Sequence, residues 1–509
     1  MSWFSPIPQT QFDSYNAAHL LWRAGFGGTW EDAVSLAQVG LKGAVDKLVD
    51  FPGAKETAPP DFVTPPESDA AFQQRIRGLD KEARSSERQK REEGERGKIT
   101  DLKFWWLTRM LTTEHPLEEK MTLFWHSHFA SSFNEKIEAC YPMWLQNDMF
   151  RRNALAPFPV LLGKVIRDPA MLVWLDNAES RGGRPNENFA RELMELFTLG
   201  VGNYGENDVK AAARSLTGYT IDRETWTFHF NPEWHDAGQK TYLGQTGAWD
   251  GDDVVRIITS QQASARFMAR KYLEFFVYQN PEPDLLETAA ALYRDSAPGP
   301  FLHALFESEV FYSAKAKDSI VKSPVVLAIG ALKAMRVPVP EKEVLADALR
   351  LMGQDLFFPP DVNGWPGGMA WINSNMLLVR YNFANFLLNG VSPGEFKMFN
   401  RKAAAPGERR REFVEHQRDS SVLEWNPREQ LRELGADRGM MTTADVVDYY
   451  IREFLQRRMP AEVHQQLEDF LETDAAGGHR SFSLDDSNFD ERIRGLVHLI
   501  MSSPDYQLC

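Results

Sequence analysis

The chain has 509 residues, 43% of them hydrophobic and 25% charged, the balance of an ordinary globular protein with a large core. Its length allows about two to four domains. A formal charge of −15 excludes a general nucleic-acid binder, because phosphate affinity needs a basic surface, and two cysteines, Cys140 and Cys509, exclude a disulfide framework.

The opening MSWFSPIPQTQFDSYN lacks a basic region followed by an apolar core, so it does not read as a secretory signal. No apolar run approaches the ~18 residues of a membrane span. The longest, FPVLLGKVI and PVVLAIGAL, read as buried helix. The expectation is a soluble, cytoplasmic protein, with export left open should a leader have been removed.

Helical periodicity dominates from the start. Ser14 to Ala24 is a first helix, with Ala18, Leu21 and Trp22 on one face; Thr29 is placed to cap a second that ends near Gly40, and Leu41 to Asp50 makes a third. Pro52, Pro59, Pro60, Pro65 and Pro66 mark an extended crossing segment. Glu67 to Lys98 is mixed in charge and nearly free of large apolar residues, as in a solvated helix or an excursion. Leu102, Phe104, Trp105, Trp106 and Leu107 then supply a buried helix, and Pro116 suits the first position of the next, PLEEKMTLFWHSHFA.

One β element interrupts the helices. Trp226, Phe228 and Phe230 alternate with Thr227 and His229, a strand period, and KTYLG from Lys240 is the expected partner. Helices resume at Asp250–Asp253 and continue through Tyr278, Ala289–Arg294, Leu302–Tyr312 and Pro324–Met335. Three more close the chain, around Thr443–Arg457, Pro460–Thr473 and Asn488–Ser503. The expected fold class is all-α: a large multi-helix protein with a small β-hairpin near residues 225–243. Its expected segments are N-terminal helices (1–51), a proline-rich and charged linker (52–98), a central helical domain with the candidate site (99–396), a charged connection (397–440), and C-terminal helices packed on the same body (441–509).

The densest chemistry lies in NENFARELMELFTLGVGNYG, from Asn186. Phe189, Leu193, Leu196 and Phe197 form the buried stripe of a helix, while Glu187, Arg191 and Glu195 fall at four-residue steps on one flank with Glu192 beside them. One reading is a salt-bridge ladder contributing roughly 0.2–0.5 kcal/mol per pair. The other is a partly buried carboxylate set with an arginine partner, able to hold a metal or run acid–base chemistry. Gly200, Gly202 and Gly205 match a dinucleotide spacing, but a helix precedes them, so Gly200 reads as a helix terminator. In GAWDGDDVVRII the aspartates are placed to cap a helix rather than to bind calcium.

Three further segments carry candidate ligands. His126 and His128 in FWHSHFA would share one metal ion only if the helix frays after Trp125, since a spacing of two sets side chains about 200° apart; ordinary hydrogen-bonded histidines beside aromatics are the favoured reading. His235 and Asp236 in PEWHDAGQK sit in a loop, where Asp236 would orient the imidazole; a plain turn is the competing reading. Trp365 in PPDVNGWPGG, with Trp371, would offer a ring-stacking platform for a sugar, against the alternative of a loop clamped by tryptophan burial.

Taken together, HLLWRAGFGG at His19, MTLFWHSHFA at Met121, NENFARELMELFTLGVGNY at Asn186, DVKAAARSLTGYT at Asp208, FNPEWHDAGQKTYLG at Phe230, VKSPVVL at Val321, PPDVNGWPGG at Pro359 and the terminal SSPDYQ resemble the bacterial domain-of-unknown-function 1800 family over nearly the whole chain. The resemblance implies a predominantly helical protein, and genes that often neighbour a family related to alkaline phosphatases and sulfatases. Many members look exported. It assigns no catalytic residue.

From the residues themselves, the leading expectation is a hydrolase joining the Glu187–Glu195 face to the His235–Asp236 loop. Glu192 and Glu195 would be ligands or general bases, Arg191 would steady an anion, His235 would be a ligand or general acid, and His126 and His128 would be secondary ligands of a divalent metal. The alternative is a non-catalytic scaffold or carbohydrate-binding partner of a phosphatase- or sulfatase-like protein.

Overall fold

A computed structural model describes residues 3–53, 58–294, 297–340, 342–389, 425–433, 442–473, 477–479, 482–483 and 486–509. The expected charged connection at 397–440 lies outside them except for 425–433, as do 54–57 of the proline-rich crossing. The described residues fold as α-helices with two small antiparallel sheets, a mainly α architecture.

Capping explains where the first helices begin. Asp13 accepts from the Asn16 backbone N–H at the start of α1 (Ser14–Ala24), and Thr29 and Asp32 form a reciprocal capping box on α2 (Trp30–Gln38). Gly40, at φ +78°, then turns the chain into α3 (Gly40–Val49). The charged stretch forms α4 (Asp69–Ile76) and much of α5 (Lys81–Thr112), which runs unbroken into the buried aromatic segment. Pro116 opens α6 (Pro116–His128) as expected, followed by α7 (Cys140–Arg152), α8 (Phe158–Val165), α9 (Pro169–Trp174), α10 (Glu187–Glu195) and α11 (Glu206–Ser215).

The β structure departs from the expected pairing. β1 (Tyr219–Asp222) pairs with β2 (Thr227–Phe230), and β3 (Lys240–Tyr242) pairs with β4 (Gln245–Gly247), so the strand around Phe228 does not meet KTYLG. Each hairpin closes locally, which costs less chain entropy than joining across the His235 loop. Leu243 and Gly244, at φ +46° and +80°, supply the two-residue turn that matches strand twist. In the first hairpin Asp222 accepts from the backbone N–H groups of Glu224 and Thr225, and the Tyr219 ring meets Phe228 and Phe230 at 5.3 and 5.6 Å.

Beyond the sheets, Asp250 and Asp253 form the capping box of α12 (Gly251–Thr259). Then come α13 (Gln262–Phe276), α14 (Pro283–Arg294), α15 (Pro298–Glu307), α16 (Pro324–Met335), α17 (Lys342–Leu351), α18 (Ser374–Asn389), α19 (Pro427–Glu433), α20 (Thr443–Phe454), α21 (Ala461–Glu472) and α22 (Phe489–Ser502).

Two compact units interleave along the chain. One comprises Met1–Pro6, Val45–Phe311 and Asp355–Pro366; the other comprises Ile7–Ala44, Tyr312–Gln354 and Gly367–Cys509. In the first, α6 is buried on nearly every face, and Trp125 stacks on Phe129 and Phe158 while its indole N–H donates to the Ala154 carbonyl at 2.9 Å. The fully buried Glu119 carboxylate accepts from Arg109, Arg151 and the Trp106 indole. That pairing holds its pKa down against the opposing effect of burial. In the second unit α16 is apolar and buried at every position except half-buried Lys333 in its last turn, as a helix inside a core must be. Nearby, the buried Arg23 guanidinium donates to the Cys509 carbonyl at 2.7 Å.

Among the described residues, no helix is long and apolar enough to cross a membrane.

Candidate functional site

The candidate residues of α10 and the His235 loop belong to the first unit. Asn186 caps α10 by accepting from the N–H groups of Asn188 and Phe189, so Glu187 stands in the first turn, where the helix dipole favours an acid. The helix ends at Glu195, earlier than the stripe through Phe197 implies. Gly200, at φ +77°, donates its N–H back to the Met194 carbonyl at 3.1 Å, beside the Leu199 N–H at 2.8 Å, and so closes the turn that follows the helix.

On the outer flank the expected ladder gives way to longer-range pairs. Arg191 makes a bidentate pair with Glu206 of α11, at 2.8 and 2.9 Å. Glu195 accepts from the Tyr204 hydroxyl at 2.5 Å. Glu192 is half-buried, and desolvation together with the neighbouring Glu195 charge pushes its carboxyl up from the usual range, with Arg191 opposing. Burial and the bond to Glu195 push the Tyr204 phenol up to about 12, so it acts as the hydrogen donor of that pair.

The His235 loop is braced on three sides. Gly218, at φ +82°, lets the Asn231 carbonyl and the His235 backbone approach where a Cβ would collide. The Gly182 N–H donates to the Trp234 carbonyl at 2.7 Å, and the Arg181 guanidinium lies 3.7 Å from the centre of the Trp234 ring. Ser180 links this brace to α10, because its carbonyl accepts from Gly218 N and its hydroxyl from Asn186 N.

Within the loop, His235 Nδ1 lies 3.0 Å from the Thr217 carbonyl. A carbonyl only accepts, so Nδ1 carries the hydrogen and Nε2 presents a lone pair. Asp236 does not orient the imidazole as expected. Its carboxylate pairs with Arg214 at 2.6 and 3.1 Å, its backbone N–H donates to the Thr217 hydroxyl, and the Arg214 bond holds its pKa down to about 2. Among the described residues, no hydrogen bond or ion pair joins Glu187, Glu192 or Glu195 to His235 or Asp236.

The two histidines of α6 do not converge. The helix stays intact through His128, so the fraying that shared ligation requires is not present. His126 Nε2 accepts from the Phe357 N–H at 3.2 Å, its ring packed by Trp106, Phe357 and Trp365. His128 Nε2 donates to the Phe197 carbonyl at 3.0 Å. Burial pushes both imidazoles down to about 3, so they are neutral core residues.

Trp365 is 7% exposed, with His126 against it at 5.5 Å, so its faces are covered and it is no open stacking surface. Trp371 belongs to the second unit and is half-buried. The PPDVNGW loop is thus clamped through buried Trp365 and through Gly364, which is pressed onto the Ser127 carbonyl, while Pro360, Asp361 and Asn363 stay exposed.

Sequence reasoning missed Thr217, Tyr204 and Arg214. Thr217 acts on the His235 ring through its carbonyl, which any residue supplies and no side-chain pattern reveals. Arg214 and Tyr204 pair with Asp236 and Glu195 across turns whose closure the spacing alone does not give.

A family model described as "Protein of unknown function (DUF1800)" matches residues 19–508. Comparison with the curated proteins and with the solved structures gives no match.

Proposed function

This chain belongs to the DUF1800 family, and from that premise we propose that it is a hydrolase acting through His235 and the Glu192 and Glu195 carboxylates. The observation that carries this reading is the hydrogen bond from His235 Nδ1 to the Thr217 carbonyl. It leaves Nε2 as a lone-pair nitrogen on a half-buried ring in a braced loop, the form required of a general base or metal ligand. Glu192, with its carboxyl pushed up by burial and by Glu195, is the matching proton donor. Glu187 and Arg191 flank the set, and Arg191 is the group to steady an anionic substrate. Asp236 supports the loop through Arg214. A divalent ion held by His235 and Glu195 is the metal-dependent form of the same proposal.

The test is turnover of chromogenic carboxylate, phosphate and sulfate esters by wild type and His235→Ala. Hydrolysis lost in the variant, with unchanged circular dichroism, supports the reading. Hydrolysis that survives the substitution refutes it.

A second reading is a non-catalytic scaffold for a phosphatase- or sulfatase-like partner. It is favoured by the mating of Arg191 with Glu206 and of Asp236 with Arg214, which commits candidate charges to local structure. Under it the carboxylate variants leave every assay unmoved. The partner, not this chain, then carries the turnover.

A further inference from the structure

A different group of side chains in the first unit has the geometry of a cation site. Asp46 lies in the last turn of α3, and Asp50 follows one turn later, just past the helix end. His303 and Glu307 stand four residues apart on α15, and so share a flank. One ligand atom each from Asp46, His303 and Glu307 lies within 4.8 Å of the others, and all three residues are half-buried.

Two distances tell the ring nitrogens apart. His303 Nε2 lies 2.8 Å from Asp50 Oδ1, a true hydrogen bond in which the carboxylate accepts, so Nε2 carries the hydrogen. His303 Nδ1 lies 3.6 Å from Asp46 Oδ1, too long for a hydrogen bond. That gap suits two ligands of one ion, since donors each about 2.0–2.2 Å from a metal stand roughly 3–4 Å apart. The alternative is an imidazolium ion-paired to both aspartates. That arrangement gives Glu307 no role.

We propose that Asp46, His303 and Glu307 bind a first-row divalent transition-metal ion, with water completing its coordination and Asp50 orienting the imidazole. One nitrogen and two carboxylate donors suit Zn2+ or Mn2+ better than Mg2+, which favours an all-oxygen shell. Asp50 is the carboxylate behind a metal-bound histidine that fixes its tautomer. Three protein ligands leave a coordination position for water or substrate. The site shares no residue with the His235 loop and stands or falls independently of it.

The experiment is competition between a chromophoric chelator and the full-length, tag-free protein for Zn2+, repeated with Mn2+. Wild type is expected to take up one equivalent. His303→Ala and Glu307→Gln should each weaken uptake by more than about 100-fold, and Asp50→Asn by about 10–100-fold. Wild type that takes up neither ion overturns the proposal, as does His303→Ala binding as tightly as wild type. Should these variants fail to fold, wild-type crystals loaded with one equivalent of Zn2+ decide it. An anomalous-scattering peak among Asp46, His303 and Glu307 supports the site, and a peak elsewhere or none overturns it.

Discussion

The Thr217 carbonyl accepts a hydrogen bond from His235 Nδ1 at 3.0 Å, while the adjacent Asp236 turns away to pair with Arg214. Orientation of the ring therefore comes from the main chain at the end of α11, and the carboxylate next to it in sequence holds the loop instead. This division of labour separates what a substitution at 236 should do from what one at 235 should do.

Asp236→Asn should destabilise the fold without abolishing function. The folded carboxyl is held down to about 2, against ~4 in an unfolded chain. A depressed acid stabilises above its unfolded pKa and loses that contribution as pH falls through the folded one. After discounting for solvent screening, the effect is on the order of 1 kcal/mol at neutral pH. Urea titrations should show the gap between wild type and variant closing from pH ~4 toward 2. A gap independent of pH would mean that the Arg214 pair contributes nothing.

His126 and His128 predict a distinct acid sensitivity. Both rings are neutral in the fold, pushed down to about 3 by burial, whereas an unfolded histidine protonates near ~6.5. Between those values the unfolded state binds the extra proton, so stability falls as pH drops, by about 1.4 kcal/mol per pH unit for each ring. His126→Gln, which keeps an acceptor for the Phe357 N–H, should lower the slope of unfolding free energy between pH ~6 and ~4 by one proton. An unchanged slope would show that the ring already titrates in the folded protein.

Two glycines at nearly the same positive φ separate backbone strain from collision. Gly244, at +80°, has open space where a Cβ would stand, and Gly364, at +77°, has the Ser127 carbonyl there. Alanine should cost about 1 kcal/mol at 244 and more than about 3 kcal/mol at 364, read by denaturant midpoints. Equal costs would mean that the PPDVNGW loop shifts freely off the end of α6.

How much was legible in the sequence follows from the range of the forces involved. Asp250, Thr29 and Pro116 announce helix starts because a cap acts over three residues, and the structure has each in that role. The α16 segment was legible from apolarity alone. The pairing of Thr227–Phe230 was not, because alternation marks a strand but not its neighbour, and Tyr219–Asp222 lies closer along the chain than Lys240 does. At the candidate site the residue types of α10 and the His235 loop stood out. Their partners Glu206, Tyr204, Arg214 and Thr217 did not, since those contacts depend on how turns close. Trp365 looked like a platform for the same reason it is buried: a rigid proline loop presents it, and here it presents it to His126.

In the proposed hydrolase, His235 Nε2 and the Glu192–Glu195 carboxylates would work as one proton-transferring unit. The most direct measurement is a double-variant cycle in kcat/KM on the best chromogenic ester, using His235→Ala, Glu192→Gln and the pair combined. A loss of about 100-fold or more is expected in each single variant and little further loss in the double, as for groups that act together. Losses that multiply in the double variant, or single variants as active as wild type, would contradict it.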